Sequence, residues 1–165
     1  MSAIFESRSD PQSPEVLVAD DEDHFRKAMK KKLIARGYRV LDVKTGAEAV
    51  HAAVNQSPEV VIVDQHMPDM SGLQAARGIK KKHPDIQIIL MAAYGGSSQP
   101  EIETDKSVFK CLYKPCGISE LIDTIESARR ERAEKITRQG IHPGIIRRFF
   151  GWMVESAKNI RSLSL

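Results

Sequence analysis

Val60-Val61-Ile62-Val63-Asp64-Gln65-His66-Met67-Pro68-Asp69-Met70-Ser71-Gly72 is the stretch from which the rest of the chain can be read. Four consecutive apolar residues suit a strand buried on both faces, as in a parallel sheet, and the run stops at an acid. A helix is predicted to follow over 71–82, halted ahead of Pro84. The rhythm recurs on either side. Upstream, Val16-Leu17-Val18-Ala19 runs into Asp20-Asp21. A helix is predicted over 23–36, with Asp23 as its cap, Phe25, Met29 and Leu33 at helical spacing and Gly37 as its stop. A second strand is predicted over 38–43. Thr45-Gly46-Ala47-Glu48 reads as a capping box opening a helix to about Gln56, which Ser57-Pro58 ends. Downstream, 86–91 and 108–113 read as fourth and fifth strands, the latter leading into Lys114-Pro115. A helix over 118–135 turns Leu121, Ile122 and Ile125 inward. Residues 95–106 break the rhythm, with two glycines, a proline and Ile102 as their one large apolar residue, so a short or irregular helix is expected there. Five βα repeats in strict alternation call for a doubly wound parallel sheet with helices on both faces.

The chain has 165 residues, enough for one α/β domain and an appendage. With 41% hydrophobic and 28% charged residues it can bury a core, which excludes disordered and collagen-like classes. Two cysteines, Cys111 and Cys116, are too few for a disulfide framework and lack a second pair for zinc. The longest apolar run, 88–93, falls far short of the roughly 18 residues needed to span a membrane. Residues 1–13 read as a polar, flexible leader with no signal peptide, and a cytoplasmic protein with reduced thiols is expected. The lysine runs 30–32 and 80–82 read as solvated helix ends that suit the helix dipole. The net charge of +3 is uneven: residues 136–165 carry five basic residues against Glu155, leaving the remainder at −1.

Chemistry is expected where the strands end, because in open α/β sheets ligands sit beyond the carboxyl ends at the topological switch point. Asp20-Asp21, Asp64 and Lys114-Pro115 all fall at such ends. If the first and third strands are neighbours, three carboxylates share one crevice with an ammonium. Clustered carboxylates repel unless a cation stands among them, and oxygen donors with open water positions suit Mg²⁺. A metal and a lysine around one carboxylate would stabilise a phosphoryl group passing to it. Helix capping explains any one of these acids but poorly explains the whole set.

The set Asp20-Asp21, Asp64 with Met67-Pro68 and Gly72, and Lys114-Pro115, in that order, resembles the receiver domain of two-component response regulators over about residues 14–135. The resemblance implies a flavodoxin-like strand order 2-1-3-4-5. It implies Asp64 as phosphoryl acceptor, served by a sensor histidine kinase or a phosphotransfer protein. Asp21 would bind Mg²⁺ directly, Asp20 through water, and the backbone carbonyl of His66 would complete the protein ligands. Lys114 would pair with the phosphoryl oxygens, and the Lys114-Pro115 bond would be cis. The His66 imidazole receives no required role. Two positions depart from the family. Ala92 stands where a Thr or Ser hydroxyl usually donates to the phosphoryl group, and Cys111 where an aromatic usually turns inward. Acceptance of a phosphoryl group is therefore implied, while the usual readout is in question. A pseudo-receiver scaffold that leaves Asp64 unused is the rival. A freestanding hydrolase is disfavoured, since no G-x-S-x-G elbow or Ser-His-Asp order occurs.

The tail, 136–165, is too short for a winged-helix output domain. His142-Pro143 marks a break, after which the sequence is amphipathic. At helical spacing Phe149, Phe150, Trp152 and Met153 share an apolar arc about 160° wide, with Arg147, Arg148 and Lys158 opposite. Such a helix must bury its aromatics, whether on its own receiver, a second copy, a protein partner or a membrane surface. Nucleic acid is disfavoured because the polar side carries few bases.

Overall fold

The computed structural model describes residues 15–95 and 99–140. Ten elements alternate: β1 (Val16–Ala19), α1 (Asp23–Ile34), β2 (Val40–Val43), α2 (Gly46–Gln56), β3 (Val60–Asp64), α3 (Gly72–Lys82), β4 (Gln87–Ala93), α4 (Gln99–Thr104), β5 (Lys110–Lys114) and α5 (Ile118–Gly140). The strands form one parallel sheet in the order β2-β1-β3-β4-β5, the order and class expected. β1 and β3 are buried at every residue, as helices on both faces require. One side of the sheet packs Leu17, Val61, Val63, Ile88 and Leu90 against Ala49, Ala53, Ala76 and Ile79. The other packs Val16, Val18, Ile62 and Ile89 against Met29, Leu33, Leu121 and Ile125.

Several boundaries move from their predicted places. α1 stops at Ile34 because 35–37 form a turn, with Gly37 at φ +90° and the Tyr38 N–H donating to the Leu33 carbonyl. Tyr38 is thus still in that turn, and β2 begins at Val40. β4 reaches Ala93, which brings Ala92 inside the sheet. α4 is six residues long, as the glycines and proline before Ile102 lead one to expect. α5 runs on to Gly140, past the expected end near 135.

The caps need two corrections and one addition. Asp23 does not cap α1: Glu22 is the N-cap, and its N–H donates to Asp20 Oδ1 at 2.8 Å while Asp23 turns to Arg26. The box at Thr45 is only half made. Thr45 accepts from the Glu48 N–H, but Glu48 accepts from Lys44, one residue too early. The complete capping box is Ser71 with Gln74, which opens α3. Asp69, beyond the Met67-Pro68 turn, accepts from the Gly46 and Ala47 N–H groups and so ties that turn to the start of α2.

The chain divides into two units, 1–132 and 133–165, with α5 entering the second. The second unit continues the helix through Arg138, which pairs with Glu134 at 3.3 Å. The leader 1–13 and the tail residues Phe149, Phe150, Trp152 and Met153 lie outside the described residues.

Candidate functional site

Parallel register builds the site. Ala19 stands opposite Val63, so the next residues, Asp20 and Asp64, leave adjacent strand ends at one rim. On the other side Asp64 faces Met91, and two residues further along β4, Ala93 faces Lys114. Lys114 reaches back from β5: its Nζ lies 2.9 Å from Asp20 Oδ2 and 2.6 Å from Asp64 Oδ1. Both carboxylates are nearly buried, at 2% and 8% exposure, and the lysine side chain is 27% exposed. The ammonium also stands 4.2 Å from the Phe25 ring centroid, a cation–π contact that helps it remain in a partly dry place. Burial works to lower the Lys114 pKa, but the two carboxylates more than offset it and hold the amine above its ordinary value. The Lys114-Pro115 peptide is cis, as expected.

The other carboxylate oxygens are held by backbone. Asp64 Oδ2 accepts from the His66 N–H at 2.7 Å, and Asp20 Oδ1 accepts from Glu22. Beneath Asp64, Gly72 fills a place no larger residue fits: a Cβ there would lie 2.3 Å from the Asp64 carbonyl oxygen. Buried Gln65 accepts from the Leu73 N–H and donates its own N–H to the Met91 carbonyl, locking the turn after β3 against α3 and β4.

The structure therefore brings together Asp20, Asp64 and Lys114. Asp21 and the His66 side chain are exposed at the rim. Among the described residues no three His, Cys, Asp or Glu side chains converge as a ready-made metal cluster, and Lys114 stands between Asp20 and Asp64. One ammonium against two carboxylates still leaves a negative balance before Asp21 is counted. The nearby donors are oxygens, the set that suits Mg²⁺.

The two departures are also placed. Ala92 is 4% exposed and offers no hydroxyl; its register partner is Tyr113. Cys111 is half-buried against the core, and burial pushes its thiol up. Sequence reasoning missed what surrounds them. Tyr113 donates to Glu103 of α4 at 2.5 Å and meets Tyr94 edge to face, with centroids 5.5 Å apart. Tyr94 itself is 80% exposed. Arg77 of α3 holds Glu101 and Asp105, anchoring the short α4. Arg26 was missed too. It is 2% exposed and bonded to Asp20, Asp23 and Asp42. Its signal was legible: a base at the 26-29-33 positions of the apolar stripe of α1.

The sequence profile of the response regulator receiver domain matches residues 16–126. The transcriptional regulatory protein KdpE of Mycobacterium tuberculosis is 35% identical over 115 residues, covering 70% of this chain and 50% of its own. The DNA-binding transcriptional regulator NtrC of Escherichia coli is 30% identical over 113 residues, 68% of this chain and 24% of its own. The chain thus spans half or less of these relatives' length. Among solved structures, the response regulator TrrA of Thermotoga maritima, in complex with Mg²⁺-BeF, superposes with a TM-score of 0.63 at 30% identity, covering 68% of this chain and 96% of that one.

Proposed function

This chain belongs to the response regulator receiver family, and from that premise we propose that Asp64 accepts a phosphoryl group from the phosphohistidine of a sensor histidine kinase or phosphotransfer protein. The observation that supports this most is the Lys114 bridge between Asp20 and Asp64, two nearly buried carboxylates at one rim. In the transfer, an Asp64 oxygen bonds to phosphorus as the donor's P–N bond breaks, and the imidazole leaves with that electron pair. Lys114 is already placed to pair with the new phosphoryl oxygens, and the His66 N–H holds the second Asp64 oxygen in line. Asp20, Asp21, Asp64 and the His66 carbonyl would hold Mg²⁺, which supplies positive charge against the oxygens of the transferring group. The solved Mg²⁺-BeF complex of TrrA supports this cofactor by analogy.

On this reading the chain's own chemistry stops at accepting the group and releasing it to water. The product is a phosphorylated module that regulates protein contacts in the cytoplasm, where the kinase presents its phosphohistidine. Residues 14–135 act as the receiver. The basic tail, 136–165, docks through Phe149, Phe150, Trp152 and Met153 on a protein surface; a membrane surface is the less favoured site. A pseudo-receiver that leaves Asp64 unused gives no reason to gather two acids around one lysine, so it ranks second. Incubation of the full chain with phosphoramidate and Mg²⁺ should add the mass of one phosphoryl group, and Asp64→Asn should prevent it. Labelling that survives in Asp64→Asn would refute the assignment.

A further inference from the structure

We infer that Arg26 is a positioning residue for the acidic rim: it sets the place of Asp21, and hence the cation affinity of the site, through the Asp20 carbonyl. The inference rests on the reading of Asp20 and Asp21 given above.

Arg26 sits where a helix of this design wants an apolar residue. Met29 and Leu33, three and seven residues on, are buried on the same side of α1. Arg26 is instead a guanidinium at 2% exposure, a costly choice unless its charge and its donors are met. They are met from β2, from the first turn of α1 itself and from the chain just after β1. Nε donates to Asp42 Oδ2 on β2 at 3.1 Å, one terminal nitrogen pairs with Asp23, and the other donates to the Asp20 carbonyl at 2.7 Å. Asp42 is shared with Lys30, whose Nζ lies 2.6 Å from its second oxygen.

Two of these contacts balance charge: the Asp23 pair lies within α1, and the Asp42 pair joins α1 to β2. The third does neither, since a carbonyl is neutral and belongs to the chain between β1 and α1. It fixes the peptide group joining Asp20 to Asp21, which is planar and turns as a unit. The Asp20 side chain is held from other directions, by the Glu22 N–H and by Lys114. Asp20 is thus pinned at both backbone and carboxylate. Asp21 is exposed, and the peptide that Arg26 holds sets the place from which its side chain starts. Arginine suits the post because its donors spread over three nitrogens in a rigid plane and reach three separated acceptors, whereas the three donors of an ammonium radiate from one nitrogen. Partners that orient a ligand without touching the metal are typically worth 10–100-fold in affinity.

The test uses the full chain with Mg²⁺ alone. Mg²⁺ affinity is read from the rise of the thermal midpoint with Mg²⁺, and separately from the Mg²⁺ half-saturation of phosphoramidate labelling. Arg26→Gln should weaken affinity about 10-fold or more by both readings, while the labelling rate at saturating Mg²⁺ changes little. Arg26→Lys, which keeps the buried charge, should also lose affinity and carries the test if Arg26→Gln does not fold. Asp42→Asn, which leaves the Asp20 carbonyl bond intact, should lower stability to urea and leave Mg²⁺ affinity unchanged. Native affinity in a folded Arg26 variant would overturn the inference, and so would an equal loss in Asp42→Asn. A native chain that binds Mg²⁺ but takes no phosphoryl group would refute the role of Asp64 and leave the Arg26 comparison standing. A native midpoint indifferent to Mg²⁺ overturns both.

Discussion

Single atoms decide much of this rim. Gly72 is required because its neighbour is backbone, not a side chain that could swing aside: the Asp64 carbonyl would lie 2.3 Å from an added Cβ. Gly72→Ala should therefore push the acceptor off its seat. We expect a loss of about 1–3 kcal/mol in urea unfolding, together with slower phosphoramidate labelling. Full labelling speed in a destabilised variant would mean that the acceptor tolerates the shift. Cys116 makes a second case at this scale. Burial first, and the Glu120 carboxylate next, push its thiol up to about 11. Only the thiolate reacts, so little of it is available near neutral pH. Alkylation of Cys116 should be slow at pH 7 and should accelerate steadily as pH approaches 11. Rapid reaction at pH 7 would contradict the half-buried, acid-facing environment.

Between elements, the open question is how β4, α4 and β5 would report a phosphoryl group. Ala92 donates nothing, so a phosphoryl oxygen lacks a bond worth roughly 1.5–3 kcal/mol to a charged acceptor. Meanwhile Tyr113 is already bonded to Glu103 and packed on Tyr94, and Arg77 ties α3 to α4. With no hydroxyl in β4 to take up a phosphoryl oxygen, and with the Tyr113–Glu103 and Arg77–Glu101 bonds already made, the region should respond weakly. Amide exchange in β4 and β5 should change little on phosphorylation of the native chain. It should change more in Ala92→Thr, where the hydroxyl is restored. A full response in the native chain would show that another contact carries the signal.

Across the whole receiver, a second ionic cluster binds the opposite end of the sheet. Arg129 of α5 pairs with Glu59 ahead of β3 and with Glu15 ahead of β1. Tyr38 donates to Glu126 at 2.5 Å. Burial, and after it this carboxylate, hold the Tyr38 phenol up at about 12, above its ordinary 10. A raised folded pKa means that the contribution is whole below pH 10 and is lost as pH climbs through about 12. Tyr38→Phe should cost about 1 kcal/mol at neutral pH, and the gap from the native chain should close above pH 12. A gap that persists there would assign the cost to packing instead. For the tail, removing residues 141–165 should leave phosphoramidate labelling intact, because all five strands and their helices precede it. Trp152, the one tryptophan, should emit as a buried indole if the tail docks. Emission as an exposed indole at every dilution, and with anionic vesicles, would remove that role.

The sequence by itself determined the five-fold alternation, the strand cores and the acids and lysine at strand ends. Those features are periodic and local: four apolar residues before an acid read the same wherever they lie. It also disclosed the short α4, since glycine and proline act on their own backbone. The tertiary structure alone decided which carboxylates meet. Lys114 bridges Asp20 and Asp64 across 94 and 50 residues of chain, and only the register of β1, β3, β4 and β5 brings them within 3 Å. The same holds for the caps. Asp23 looks like a cap by position, but Arg26 one turn on draws it away, and Asp20 accepts from the helix start instead. A charge buried in an apolar stripe is visible in the sequence. Its purpose is not, because Asp42 on β2 and the Asp20 carbonyl after β1 reach it only once the sheet and helix have packed, and their meeting is a property of packing.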